Sequence, residues 1–395
     1  MTDSITKQPD LSQSFARRVL RDTFTRSSAR IGLGWIFILV IFAVFAPLLA
    51  NSHPILLSQS GELSSPLLKH LTPGDVILLV VFFFAIMLYF LKRFSFLHRL
   101  GIFVITTFLV TIIANLTVEP PKLTVYDQYR QAQAASMYDW VMHTPIPYSP
   151  RDYLRDAGDT GLEKPFESQQ RLHLLGTEAN GADLLSRMIH ASRIALGIGF
   201  VATGIAMIIG IIIGGLMGFF SGWVDMVGMR LVEIFEAVPT LFLLLTFVAF
   251  FGRSLYIMMV IIGITSWSGY ARYLRAEFLR LRQQDYVQAA IACGLPLRSI
   301  LFRHMLPNGI APVLVVASFG VASAILAEAV LSFLGLGLVD EPSWGQMLNQ
   351  AVQSSNFYWW MAAFPGGAIF LTVFAYNLMG EALRDAIDPS LKSGD

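Results

Sequence analysis

Eight apolar segments divide this 395-residue chain, and the first, Ile31–Ala50, runs for twenty residues without a charge. At 1.5 Å per residue that is about 30 Å of helix, the thickness of a bilayer's hydrocarbon core. The others are residues 76–91, 100–118, 194–220, 229–251, 254–271, 309–339 and 359–380. Charged residues make up 14% of the chain, well below the roughly 25% of soluble domains. An ordinary cytosolic enzyme is excluded, and the fold class expected is an all-α integral membrane protein. Net charge is +1, so only the placement of charge informs, and no attraction to nucleic acid is implied. The single cysteine, Cys293, excludes an intrachain disulfide and a thiolate metal cluster.

Charge placement orients the segments. Residues 1–30 carry six basic side chains against three acidic ones, which puts this N-terminal segment in the cytoplasm and makes 31–50 a retained first transmembrane helix rather than a cleaved leader. Residues 76–118 form an extra hydrophobic hairpin whose turn carries Lys92, Arg93, His98 and Arg99. Either it spans, giving eight helices, or it is a buried or interfacial hairpin, giving six; downstream orientation is the same in both cases. Residues 119–193 are a polar loop expected outside, and 194–380 a core bundle with a cytoplasmic tail at 381–395. Within that core, 272–308 hold Arg272, Arg275, Arg280, Arg282, Arg298 and Arg303 against Glu277 and Asp285, a strong cytoplasmic signal.

That basic stretch contains a helix too short to span. Asp285 followed by Gln288 has the spacing of a capping box, and Gly294 with Pro296 supplies the stop. One face shows Tyr286, Ala289, Ala290 and Cys293, another Val287, Ile291 and Gly294. A cytoplasmic helix apolar on two faces is buried on two sides: one against its own chain, the other free for a partner with a groove for small side chains. A loop helix folded against its own protein fits the same pattern.

The residues that follow carry a resemblance. Ala289, Ala290, Gly294, Leu306 and Pro307 match without gaps the coupling loop of permeases of ATP-binding-cassette importers, with Gln288 where Glu is commonest and His304 where Ile is commonest. Four further blocks, Leu175–Arg187, Ala327–Gly337, Pro342–Leu348 and Phe364–Gly366 through Leu383–Pro389, resemble the C-type permeases of dipeptide and oligopeptide importers. Within that branch Pro54–Leu57, Gly61, Pro66–Lys69 and Glu178–Gly181 look most like importers of microcin C-type peptide antibiotics, from which the hairpin 76–118 departs. The resemblance implies a type I importer permease in a bacterial inner membrane with both termini cytoplasmic. Asp285, Gln288, Ala289, Ala290, Gly294, Leu306 and Pro307 would couple it to ATPases. It also implies a second permease completing a heterodimeric pore, two cytoplasmic ABC ATPase subunits holding ATP and magnesium, and a periplasmic or lipid-anchored substrate-binding protein. The chain has no Gly-Lys pair and hence no phosphate-cradling GxxxxGK[ST] loop; the resemblance gives it no cofactor of its own.

Three other features stand out. Gly210, Gly214 and Gly218 recur every four residues, as in helices that approach closely, and fit a mobile interface or static packing. Glu328 is the one charge between Asn308 and Val339; it reads either as a pathway residue or as a lock between helices. An ion-coupled secondary transporter or channel using Glu328 is the alternative function. Glu233 and Glu236 near Arg230 fit an interfacial ion-pair cluster. His173, His190 and His304 lack ligand spacing to one another. Residues 119–193 and 340–358, with Trp344, form an outer surface able to receive a binding protein or simply to cap the bundle.

Overall fold

The computed structural model describes residues 15–91, 95–121, 124–154, 158, 161–167, 172–338 and 341–387. Lys92 and Arg93 of the expected hairpin turn, residues 1–14 of the N-terminal segment and 388–395 of the tail lie outside them. Helices α1 (Phe15–Thr25) and α2 (Ser27–Leu49) lead into a polar cap with strands β1 (Leu56–Gln59) and β2 (Glu62–Ser64) and helix α3 (Pro66–Lys69). Helices α4 (Pro73–Phe90) and α5 (Phe96–Thr117) form the hairpin, after which α6 (Gln128–Ala134) and β3 (Trp140–Met142) return to the cap. The bundle follows: α7 (Leu184–Phe220), α8 (Gly222–Ala237), α9 (Thr240–Phe251), α10 (Leu255–Thr265) and α11 (Trp267–Arg282). It continues with α12 (Asp285–Ala292), α13 (Leu297–Ser299), a π-helical turn at Ile300–Met305, α14 (Leu306–Leu331), α15 (Trp344–Gln353) and α16 (Trp359–Ile387).

Of the eight expected crossings, six occur as single helices long and apolar enough to span. A seventh, α8–α9, is bent by 81°, where Pro239 follows the extended Val238 and cannot continue the helix. The eighth, 254–271, is divided at Ser266 between the eleven mostly apolar residues of α10 and the start of the arginine-rich α11.

At the centre stands α7, packed by α2, α10, α11 and α14. Its 37 residues reach about 55 Å, longer than a bilayer is thick. It begins ten residues before the apolar run because Asp183 caps it, accepting from Ser186 N at 2.7 Å. Three long polar side chains of these added turns find partners: Arg187 donates to Gln350 Oε1 at 3.1 Å, His190 Nε2 meets Ala50 O at 3.0 Å, and Arg193 donates to Ala43 O at 2.6 Å while pairing with Asp75. The cap thus closes over one end of α7. Its antiparallel sheet, in the order β2-β1-β3, sets Leu57 opposite both Ser64 and Val141 and so joins the segments before and after the hairpin. At the other end of α7, Arg282 donates to Ser221 Oγ at 2.6 Å, placing the α11–α12 junction there.

The hairpin is not buried within the protein. A capping box between Thr72 and Asp75 starts α4, and Phe45 meets Phe82 and Phe83 edge-on, but Phe83, Phe90, Phe108 and Leu116 are exposed. So broad an apolar surface is stable against lipid and not against water.

Trp344 corrects an expectation. It is 3% exposed and its indole donates to Met188 O at 3.3 Å, so it anchors α15 to α7 and is not itself part of an exposed outer surface. Trp360 ties α16 to the cap in the same way, donating to Thr177 O at 3.1 Å.

Candidate docking site

The exposed end of the bundle opposite the cap is dominated by α12. Its start differs from the expected capping box by one residue. Gln284 is the N-cap, Asp285 opens the helix, and no side chain caps it. Gln288 reaches past the N-terminus instead, donating to Arg282 O at 2.7 Å and tying α12 to the last turn of α11. The end matches expectation. Leu295 N donates to Ala290 O at 3.2 Å and Gly294 N to Ile291 O at 3.0 Å, the paired bonds of a Schellman motif, with Gly294 at φ +68°. Only glycine takes that conformation without strain.

The two faces also divide differently from the pattern expected. Val287 and Ala290, three residues apart, are buried in one cluster with Leu274, Phe278 and Leu281 of α11 and Ile300 and Met305 of the π-helical turn. Tyr286 is 42% and Ile291 39% exposed, and Ala289, Cys293 and Gly294 are exposed with them. One side of α12 therefore packs on its own chain, and the other presents alanine, cysteine and glycine between larger apolar side chains. No atom lies within 4 Å of where a Cβ on Gly294 would be.

Two arms carry this helix. The first, α11, is fixed by cross-helix charges: Arg275 holds Asp225 of α8 through both carboxylate oxygens, one at 2.6 Å, and Arg272 pairs with Glu236. Donating to the Asp225 carboxylate holds the Arg275 guanidinium above its ordinary range. Arg230 and Glu233 pair within α8, so part of the expected ion-pair cluster is there, while Glu236 bridges to Arg272 of α11 instead. These links, 36 to 50 positions apart, leave no periodic trace in the sequence.

The second arm continues without interruption into α14. Pro307 has no N–H to give Arg303 O and would clash with it in an α-turn; the chain widens into the π-helical turn, with Leu306 N bonding Leu301 O. Asn308 donates to His304 O at 2.7 Å. Leu306 and Pro307 thus mark the junction between arm and long helix. Gly309 then permits close contact with Leu281 of α11, 3.0 Å from a Cβ placed there.

The glycine stripe faces α11 of this same chain. A Cβ on Gly210 would overlap Tyr270, one on Gly214 the backbone of Ala271, and one on Gly218 would lie 2.5 Å from Phe278 Cβ. The stripe is therefore a close-packed seam between α7 and α11.

Glu328 lies away from α12, 3% exposed near the cap end of α14. Ser332 donates to it at 2.5 Å, and the hydroxyl of Ser343, the N-cap of α15, lies close enough to interact with its carboxyl. It joins α14, the π-helical turn Ser332–Leu336 and α15. Glu328→Gln should keep these contacts and leave uptake and detergent stability nearly unchanged, whereas Glu328→Ala strands the Ser332 hydroxyl at a cost of about 1–3 kcal/mol. Loss of uptake in Glu328→Gln with normal protein levels would reinstate an ion-coupled role.

Comparison with known proteins supplies the family. Residues 210–393 match the model described as binding-protein-dependent transport system inner membrane component, and residues 14–66 match the N-terminal TM domain of oligopeptide transport permease C. The oligopeptide transport system permease protein OppC of Haemophilus influenzae is 40% identical over 58% of this chain and 75% of its own length. The di/tripeptide transport system permease protein DppC of Pseudomonas aeruginosa is 41% identical over 62% of this chain and 82% of its own. For the OppC of Escherichia coli the values are 40%, 59% and 78%. The hairpin α4–α5 falls between the two matched regions. With its helical architecture and these matches over both parts of the bundle, the chain belongs to the multi-pass inner membrane components of binding-protein-dependent transport systems, in the oligopeptide permease C branch.

Proposed function

We propose that this subunit imports peptides or peptide-like compounds and forms one half of a heterodimeric pore with a second permease. The relatives named for peptide transport support the substrate class. The cap end of α7 faces the periplasm and receives the binding protein; α12 faces the cytoplasm. The observation that carries the coupling is the division of α12 into a face buried on its own arms and an exposed face of small side chains ended by Gly294. Such a helix seats in a groove on an ATPase subunit, one for each half of the pore. ATP and magnesium stay on those partners. Closure of the ATPases would then push α12, Gln288 would carry α11 with it, and the Arg275–Asp225 and Arg272–Glu236 pairs would carry α8. In this reading Glu328 is a helix lock.

Affinity isolation of the tagged chain in mild detergent tests the assembly. A second permease-like chain and P-loop ATPases should be recovered with it. Isolation of this chain alone, with transport intact after reconstitution, would remove the ATP-driven reading.

A further inference from the structure

A cleft of about 370 Å³ opens between α7, the α10–α11 break and α14. No charged side chain lines it, yet five hydroxyls do: Thr203, Thr240, Ser266, Tyr270 and Ser323. Thr240, Ser266 and Ser323 are exposed on this chain, halfway along segments whose other exposed residues are mostly large and apolar. Lipid is a poor neighbour for such a cluster.

Two broken helices end at this place. The 81° bend brings Thr240, the first residue of α9, to the cleft, and the break at Ser266 brings the start of α11. No side chain caps α9 or α11. Irregular backbone at membrane depth persists where protein covers it or where it borders a water-filled space, and this cleft is open. Deeper in, Thr203 is 6% exposed and its hydroxyl makes no hydrogen bond of normal geometry, although the Tyr270 hydroxyl lies close enough to interact. Gly320 makes room for that tyrosine, since a Cβ there would overlap its oxygen. Ser323 donates to Phe319 O at 3.1 Å and keeps its lone pairs free to accept.

We infer that this cleft binds the main chain of the cargo as it crosses, through hydroxyls that both donate to amide carbonyls and accept from amide N–H groups. The inference rests on the peptide reading proposed above. The uncharged lining gives it a consequence: the cleft holds any extended peptide without selecting on side-chain charge, and selection falls to the binding protein.

The test uses the complete importer, with partner permease, ATPases and binding protein, in proteoliposomes supplied with a labelled pool of short alanine peptides. The double variant Thr203→Val and Ser323→Ala removes two hydroxyls at nearly constant volume and should lower uptake about tenfold, a loss of about 1.4 kcal/mol. Binding-protein-stimulated ATP hydrolysis should stay at the wild-type rate. Ser323→Trp, which fills the cleft, should stop uptake and also leave hydrolysis running. Phe250→Ala on an exposed apolar face should change neither. If Ser323→Trp does not assemble with its partners, the smaller double variant decides. Wild-type uptake in both cleft variants would overturn the cleft as the path. No peptide uptake by the wild-type importer, with hydrolysis stimulated by another solute, would overturn the peptide reading and this ligand class with it.

Discussion

In the assembled importer, Gly294→Ala should lower uptake by up to about tenfold, and Gly294→Trp by at least about tenfold more, with both variants inserted normally in the membrane. Both substitutions force an L-residue into the left-handed region at φ +68°, which costs about 1–2 kcal/mol. That strain is common to the pair, so the difference between them reports bulk alone. Within this chain the added Cβ meets nothing within 4 Å beyond its neighbours in sequence, and Gly294 is exposed, so a larger side chain extends into solvent. Any extra loss in Gly294→Trp therefore comes from a surface this chain does not supply, namely the groove proposed for α12. The readouts are uptake, binding-protein stimulation of ATP hydrolysis, and recovery of the ATPases with the tagged chain. Equal uptake in the two variants would sink the docking model, for then only the cap conformation matters. Buried Val287 and Ala290 are poor positions for the same test, since changes there disturb the arms first.

Much of this arrangement was legible in the sequence. Segment lengths and charge placement marked the helices, and Gly294 marked the end of α12 because a positive φ at a helix terminus selects one residue type. Other parts were hidden by partners distant along the chain. Arg187, His190 and Arg193 read as loop because their partners are Gln350, Ala50 and Asp75; with these contacts made, α7 starts at Leu184. The Arg275–Asp225 link joins residues fifty positions apart. Trp344 looked like a surface aromatic because its short segment is polar, and only the carbonyl of Met188 explains its burial. The capping box failed by one residue for a local reason: with Gln284 as N-cap, Gln288 was free to reach the unsatisfied carbonyl at the end of α11. Ser266 gave no breaker signal of its own, and the cleft beside it became visible only when Thr203, Tyr270 and Ser323 came together from three helices.

Gly214→Leu should remove most of the full-length chain from the membrane, and Gly204→Leu should be nearly silent. Both glycines lie on α7, and both substitutions carry the same helix propensity and the same added volume. They differ in what the new side chain meets. At Gly204 nothing lies within 4 Å, whereas at Gly214 a Cβ would overlap the carbonyl oxygen of Ala271 and lie 2.9 Å from its Cα. Overpacking by a methylene or so costs about 1–3 kcal/mol where side chains can shift; here the obstacle is the backbone of a neighbouring helix, so leucine must separate α7 from α11. That opens the seam at Gly210 and Gly218 as well, and exceeds the stabilising surplus of a marginal fold. Gly214→Ala should fall between, with a lower melting temperature in detergent and partial accumulation. The coupling path suffers with the seam, because α11 carries Arg275 and the anchor of Gln288, so any Gly214→Ala protein that does accumulate should show weakened stimulation of its ATPases. Wild-type levels and melting temperature for Gly214→Leu would mean that α7 and α11 do not touch through their backbones, and the rigid transmission from α12 into the bundle would lose its basis.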